Sequence, residues 1–417
     1  MPFESPSQSP AFPSNEPSPT FDYDLIIVGG GIVGATLAAA LKDSGLQIGL
    51  IEARAQSQAV EKGQAYAISL LSERIFRGIG IWDEISPQIA TCQKICLSDG
   101  TRPGGVQFHP EDLGTDRVVH VAEHRVLLGA LQTWLNRQDN VRWLCPAFVE
   151  TVEYGENEAI ARVKIDGKIQ TLRSRLVVGA DGARSRIRTD AGIQTHGWSY
   201  WQSCLVATIG HEHPHHNIAY ERFWSSGPFA ILPLPGNRCR IVWSAPHAEA
   251  QALANLDEAE FLERLSPRYV ASMGRLSLEG KRFVFPLQWR QSDRYVKSRL
   301  ALVGDAAHGC HPVGGQGLNM GIRDAAALAQ VLQEARQHRQ DIGQLSVLRR
   351  YERWRKPENL AILGFTDLLD RVFSNDFPPL VALRQLGLWG LRQMTPLRIY
   401  PLKLMTGLSG RLPELGS

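Results

Sequence analysis

Residues 23–54, YDLIIVGGGIVGATLAAALKDSGLQIGLIEAR, constrain the fold more than any other stretch of this chain. An apolar strand runs into a glycine turn, an alanine-rich helix follows, and a second strand ends on Glu52. That succession predicts a βαβ unit. Three glycines hold the places such a unit requires: Gly29 for the tight turn, Gly31 for close approach of backbone to a pyrophosphate, and Gly34 for packing of the helix on the strand. Glu52, 18 residues past Gly34, stands where an acid accepts a ribose hydroxyl. G-x-G-x-x-G alone is a weak signal, but strand, helix and terminal acid agree here and point to dinucleotide binding.

Two later stretches repeat the passage from strand to glycine turn. SRLVVGADGARSRIR spans 174–188, and RLALVGDAAH leads into the glycine-rich run that ends at Ala325. Their separation predicts a nucleotide domain assembled from distant segments, 21–90, 120–195 and 290–345. Between them, AYERFWSSGPFAILPLPGNRCRIVWSA (219–245) alternates apolar and polar residues around Gly-Pro and Pro-Gly-Asn turns. This reads as antiparallel strands of an inserted substrate-binding sheet domain, 91–119 and 196–289, before a helical C-terminal region, 346–417. The fold class is therefore mixed α/β. Residues 1–20 carry six prolines among serines, with no basic start and no apolar run, which predicts a disordered leader and no signal or transit peptide.

Forty-five basic against 42 acidic residues give a net charge of only +3, so no global field argues for nucleic acid and the expected partner is a small molecule. Six cysteines without a C-x-x-C framework suit a reducing, cytoplasmic compartment. No run approaches the roughly 20 apolar residues that span a bilayer. G-x-S-x-G does not occur, and the match to H-E-x-x-H, HEHPH at 211–215, is broken by Pro214 and flanked by strands, so hydrolytic chemistry has no support.

Three ordered motifs, the glycine turn at 29–34, GADGARSRIR at 179–188 and GDAAHGCHPVGGQGLNMGIRDA at 304–325, give the chain a resemblance to a known family. It resembles the FAD-dependent aromatic hydroxylases of the para-hydroxybenzoate hydroxylase fold, and among them the ubiquinone-biosynthesis ring hydroxylases of the UbiH/UbiF group, over about residues 22–400. The resemblance implies a Rossmann-like FAD-binding domain and hydroxylation of a lipid-tailed phenol in quinone biosynthesis. NAD(P)H would serve as transient reductant and O2 as co-substrate, through a flavin hydroperoxide. By the same resemblance Asp181 and Gly182 of the second motif serve FAD, Asp181 also serving the reductant, and Gly304 and Asp305 approach the ribityl chain. Gly314 belongs to the turn that opens the next helix, whose free amides at Gly317, Leu318 and Asn319 face the flavin pyrimidine edge. Arg125 reaches the FAD phosphates, and Pro312 lies on the flavin face. No protein acid or base is identified. The family's usual arginine is replaced by Gln64 in EKGQAYAIS, which puts phosphate contact there in doubt.

Weaker signals remain. HEHPHH, with His211, His213, His215 and His216, reads as an exposed hairpin loop and not as a metal site, and Cys92 and Cys96 have no partners at zinc spacing. No metal is expected. From Phe377 to Pro413 the chain carries Arg384, Arg392, Arg398, Lys403 and Arg411 and no acid, a pattern that fits either a membrane-surface element or helices packed on the core. Alternatives to the hydroxylase are an FAD-dependent reductase or epoxidase of an isoprenoid, or a non-catalytic flavin or prenyl-lipid binding protein.

Overall fold

The computed structural model describes residues 21–61, 63–100 and 105–416; the expected disordered leader lies outside them. Strand β1 (Tyr23–Val28), helix α1 (Ile32–Ala40) and strand β2 (Ile48–Ile51) form the βαβ unit. The elements used below follow in chain order: β3 (Lys94–Asp99), α2 (His124–Leu135), β4 (Val141–Leu144), β5 (Lys168–Gly179), β6 (Thr195–His211), β7 (Ile218–Trp224), β8 (Gly227–Leu234), β9 (Arg238–Pro246), β10 (Leu276–Ser292) and β11 (Leu300–Leu302). Four helices complete the chain: α3 (Gln316–Gln337), α4 (Leu345–Phe373), α5 (Pro378–Gln393) and α6 (Thr395–Thr406).

The first sheet has a parallel run, β11-β5-β1-β2-β4, to which Ala147–Tyr154, Ala159–Ile165 and Val296–Lys297 add antiparallel pairings. Its central strands are near-continuous apolar runs, buried where they pair. Val28 stands beside Ile51 and Gly179, and Gly179 beside Leu302, so the three glycine motifs leave the sheet at one edge in register. All of α1 but Val33 is buried, and its small side chains let α3 come close: a Cβ on Gly321 would lie 2.6 Å from Val33 Cγ2.

The second sheet runs β10-β6-β9-β8-β7-β3. Its pairings are antiparallel except one, since β7 pairs parallel with β3, which arrives from more than a hundred residues earlier. Alternation decides its two faces. Ile241, Trp243, Phe229 and Ile231 pack under the helices His247–Asn255 and Glu258–Leu265, whereas Arg240, Val242, Ser244, Ala230 and Leu232 turn toward the first domain. A small third sheet, Ala65–Ile68, Val119–Glu123 and Ala90–Cys92, lies between the two.

Two expectations are corrected. His211 and His215 are buried, because their ring nitrogens bond the carbonyls of His213 (2.7 Å) and Leu234 (2.9 Å); only the turn around His213 and His216 is exposed. The basic residues of the C-terminal segment do not form one free surface. Arg384 is buried on Asp99 at 3.0 Å, Arg398 binds Asp112 at 2.6 Å, and Arg411 stacks on Trp354. Arg392 and Lys403 stay exposed on α5 and α6, among exposed apolar side chains that include Leu383, Leu386, Trp389, Leu397 and Tyr400.

Candidate active site

A cavity of about 1060 Å³ lies between the motif edge of the first sheet and the inner face of the second. One side carries Gly29, Gly31, Glu52, Asp181, Gly182, Arg184 and Arg186; the other carries Val206, Ala219, Ala230, Leu232, Val242, Phe285 and Leu287. Asp305, Pro312, Gly314, Gly317 and Leu318 line it from the third motif. The polar side and the apolar side therefore meet at residues 305–318. The volume slightly exceeds the range of about 300–1,000 Å³ typical of small-molecule pockets, as a chamber shared by two ligands requires.

The βαβ turn is built for close approach. Gly29 has φ +113°, and a Cβ there would lie 2.3 Å from the Ala180 carbonyl oxygen; a Cβ on Gly34 would lie 1.9 Å from the Gly29 oxygen. A Cβ on Gly31 would meet no described atom within 4 Å, so it would stand in the cavity itself. Glu52 Oε2 accepts from the Gly30 amide at 3.0 Å and Oε1 from the Arg54 amide at 3.1 Å, which fixes the carboxylate beside the turn. Asp181 Oδ2 accepts from the Arg186 and Ile187 amides at 2.8 and 3.2 Å. Its buried Oδ1 has no hydrogen-bond partner among the described residues.

Helices α1 and α3 both begin at the cavity, and among the described residues no side chain caps either one. Their first-turn amides have no partner within the helix, and each start carries the positive end of a helix dipole. Gly314 and Gly315, at φ +64° and +62°, shape the turn into α3. Asn319 does not line the cavity. Its side chain instead accepts from the Ser69 amide (2.9 Å) and Ser72 hydroxyl (2.8 Å) and donates to the Ala67 and Gly315 carbonyls (2.8 Å each), clamping the α3 start to the segment after Ala65–Ile68. Gly34 and Gly304 lie just behind the lining, Gly304 against Val33.

Arg125 is the one expected contact that points away. Its guanidinium bonds Glu123 Oε2 at 2.8 Å, 60% of its side chain is exposed, and its neighbour His124 is the lining residue. Gln64 lines the cavity and accepts from the Tyr66 hydroxyl at 2.7 Å. Sequence reasoning assigned no role to several charged lining residues, Arg54, Arg184 and Arg186 among them, and three others stand out. Arg290 donates to the Asp305 carbonyl at 2.9 Å while its buried Nε has no hydrogen-bond partner among the described residues. Arg240 is 4% exposed and its Nε is likewise without one. Burial pushes the pKa of both guanidinium groups down. The third, Glu221, reaches the cavity from β7. The alternation of RCRIVWSA, which sets Arg240 in one row with Val242 and Ser244, was the available signal for Arg240.

Glycines whose Cβ would stand in the cradle, a buried carboxylate oxygen without a hydrogen-bond partner among the described residues and two uncapped helix starts are features that fit FAD.

Residues 22–366 match the family model described as FAD binding domain. The ubiquinone hydroxylase UbiL of Rhodospirillum rubrum is 39% identical over 90% of this chain and 87% of its own length. The 3-demethoxyubiquinol 3-hydroxylase of Escherichia coli is 32% identical over 92% and 98%. Among solved structures, p-nitrophenol 4-monooxygenase PnpA from Pseudomonas putida superposes with a TM-score of 0.78 at 19% identity, covering 93% of this chain and 98% of that one, and shares the fold.

Proposed function

This chain belongs to the FAD binding domain family, and on that footing we propose that it is an FAD-dependent monooxygenase that hydroxylates the ring of a prenylated phenol in quinone biosynthesis, with NAD(P)H as reductant and O2 as oxygen donor. The observation that carries this reading is the single chamber in which three motif-bearing strand ends, in register, face an apolar sheet across residues 305–318. Bound FAD supplies the redox and oxygen-activating chemistry.

The residues of this chain bind and orient. Glu52 and the free oxygen of Asp181 would accept ribose hydroxyls, and the amides at the α1 start would take the diphosphate. Asp305 would serve the ribityl chain, the amides of Gly317 and Leu318 the pyrimidine edge, and Pro312 the ring face beside the substrate. Arg125 would reach the phosphates by leaving Glu123. Val206, Ala230, Leu232, Val242 and Phe285 exclude water and hold an apolar ring. The wild-type protein, given a prenylated phenol and NAD(P)H under labelled dioxygen, is expected to place one labelled atom in the product. Label arriving from water instead overturns the monooxygenase.

Among the described residues no helix is long and apolar enough to cross a membrane. A polyprenyl tail is insoluble in water, and the exposed side chains of α5 and α6 offer a place to collect it from a bilayer surface. Each such side chain contributes about 1.5–3 kcal/mol when fully buried. Because Arg384 and Arg398 are held internally and, of the basic residues, only Arg392 and Lys403 stand exposed on these helices, attachment is expected to rest chiefly on apolar contact. Cosedimentation with liposomes is predicted to survive high salt and to fall in the triple variant Leu386→Ser, Trp389→Ser, Tyr400→Ser with FAD retained. Failure of the wild type to cosediment at any salt concentration points to a protein carrier.

A further inference from the structure

A phenol attacks an electrophilic oxygen faster as its anion, so the reaction proposed above gains from a base at the ring hydroxyl, and no sequence motif identifies one. We propose that Glu221 is that base: its carboxylate receives the hydroxyl proton of a phenol lying on the second sheet beside Pro312. The inference rests on the hydroxylase reading.

Alternation along β7 sets the direction of the side chain. Tyr220 and Trp224 pack with the core beneath the outer helices, so Ala219, Glu221 and Phe223 turn the other way. Register sets its surroundings. Glu221 stands opposite Ala230, Ala230 opposite Val242, and Val242 opposite Val206, a row in which every member lines the cavity and only Glu221 is polar. Gly314, two residues past Pro312, lines the same cavity, and its amide is near enough to favour the carboxylate form.

The groups that face Glu221 leave its charge uncompensated. Cys204 of β6 is near enough to feel that charge, Arg240 of β9 stands one pleat along, and Cys310 enters from the loop. On β3, the residue in register is Leu97, and Asp99 beyond it is held by Arg384. Burial raises the Glu221 pKa to about 7, against which the Gly314 amide works only in part. A carboxyl kept in an apolar wall with no cation is costly, and groups perturbed in this way concentrate at functional sites. A base is most effective when its pKa lies near the working pH.

The proton balance closes. The phenol O–H bond breaks, its proton passes to a Glu221 oxygen, and the electron pair stays on the phenolate and enriches the adjacent ring carbon. One oxygen atom from O2 joins that carbon as a hydroxyl, NAD(P)H supplies a hydride and solvent a net proton, and the second oxygen leaves as water. The hydrogen displaced from the carbon is lost as a proton when aromaticity returns, the phenolate is reprotonated, and Glu221 releases its proton to solvent.

The test compares the full-length FAD-loaded wild type with Glu221→Gln and Glu221→Asp on 2-geranylphenol, following product, NAD(P)H and hydrogen peroxide across pH. In the wild type the hydroxylation rate should fall as pH drops below about 7, where the carboxylate is protonated. Glu221→Gln should lose that acid limb and about 10²-fold in product formation while still consuming NAD(P)H and releasing peroxide. Glu221→Asp should keep an acid limb, displaced from its wild-type position. Should the Gln variant lose FAD, the Asp variant decides: a displaced limb supports the proposal and a profile identical to wild type overturns it. A Gln variant with the wild-type rate and limb overturns the role of Glu221 and leaves the hydroxylase standing. If the wild type hydroxylates no prenylated phenol, the functional reading fails and the base with it.

Discussion

Gly31→Ala is expected to fold with wild-type stability and to purify without colour, whereas Gly34→Ala loses both FAD and stability. The two glycines lie three residues apart in one turn, and the space around each separates their effects. A Cβ on Gly34 would sit 1.9 Å from the Gly29 carbonyl oxygen and 3.2 Å from Ala180 Cβ. Backbone cannot swing aside, so α1 must lift from β1, at an overpacking cost of about 1–3 kcal/mol or more. A Cβ on Gly31 meets no described atom and projects into the chamber, where it would displace only the ligand. Flavin absorbance per protein and the denaturation midpoint, measured together, check both. A Gly31→Ala protein that holds FAD as tightly as wild type would remove the diphosphate from this turn.

Asp324→Ala is expected to cost about 3–5 kcal/mol, because it strands buried charge. Asp324 is fully buried; its Oδ2 meets His308 Nε2 at 2.6 Å and the Gly304 amide at 3.2 Å, while Oδ1 accepts from Arg355 Nε and Asn359 Nδ2 at 2.9 Å. It thereby ties the third glycine motif to α3 and α4. Burial opposes ionisation, but the charge and hydrogen bond of His308 and the charge of Arg355 outweigh it and hold the pKa at about 2. The folded value lies below the unfolded value of about 3.9, so this stabilisation is present above pH 4 and is lost as pH falls through 2. Urea midpoints of the wild type should therefore decline between about pH 4 and pH 2, and Asp324→Asn should remove that part of the slope.

The parts of this molecule that local chemistry controls were legible in the chain. Gly29, Gly31 and Gly34 announce their turn because spacing, strand and helix lie within thirty residues, and the alternation in 219–245 marks the inserted sheet. What was not legible depends on partners far away in sequence. Arg384 and Arg398 look like surface cations until Asp99 and Asp112, nearly three hundred residues earlier, take them. His211 and His215 look like loop residues until the carbonyls of His213 and Leu234 bond their rings and the Asn217 amide donates to the second nitrogen of His215. Glu221 reads as the polar member of an alternating strand, which ordinarily faces water. Only the fold shows that this face meets a cavity instead. The parallel pairing of β7 with β3 escaped for the same reason, since nothing local records a strand's distant neighbour.

The strand order of the first sheet has a consequence for biogenesis. β1 pairs with β2 at once, but its other neighbour, β5, lies about 150 residues downstream, and β5 waits for β11 at Leu300–Leu302. Contacts of such long range form slowly, because chain closure must precede any gain from them. A ribosome therefore exposes the first glycine turn long before the wall that completes its pocket exists. Because residues of all three motifs line one cavity, FAD is expected to bind only the finished sheet and to pull the folding equilibrium forward by mass action at the final stage. In cells starved of riboflavin, the population that suffers is expected to be newly made chains, cleared by proteolysis, more than protein already assembled.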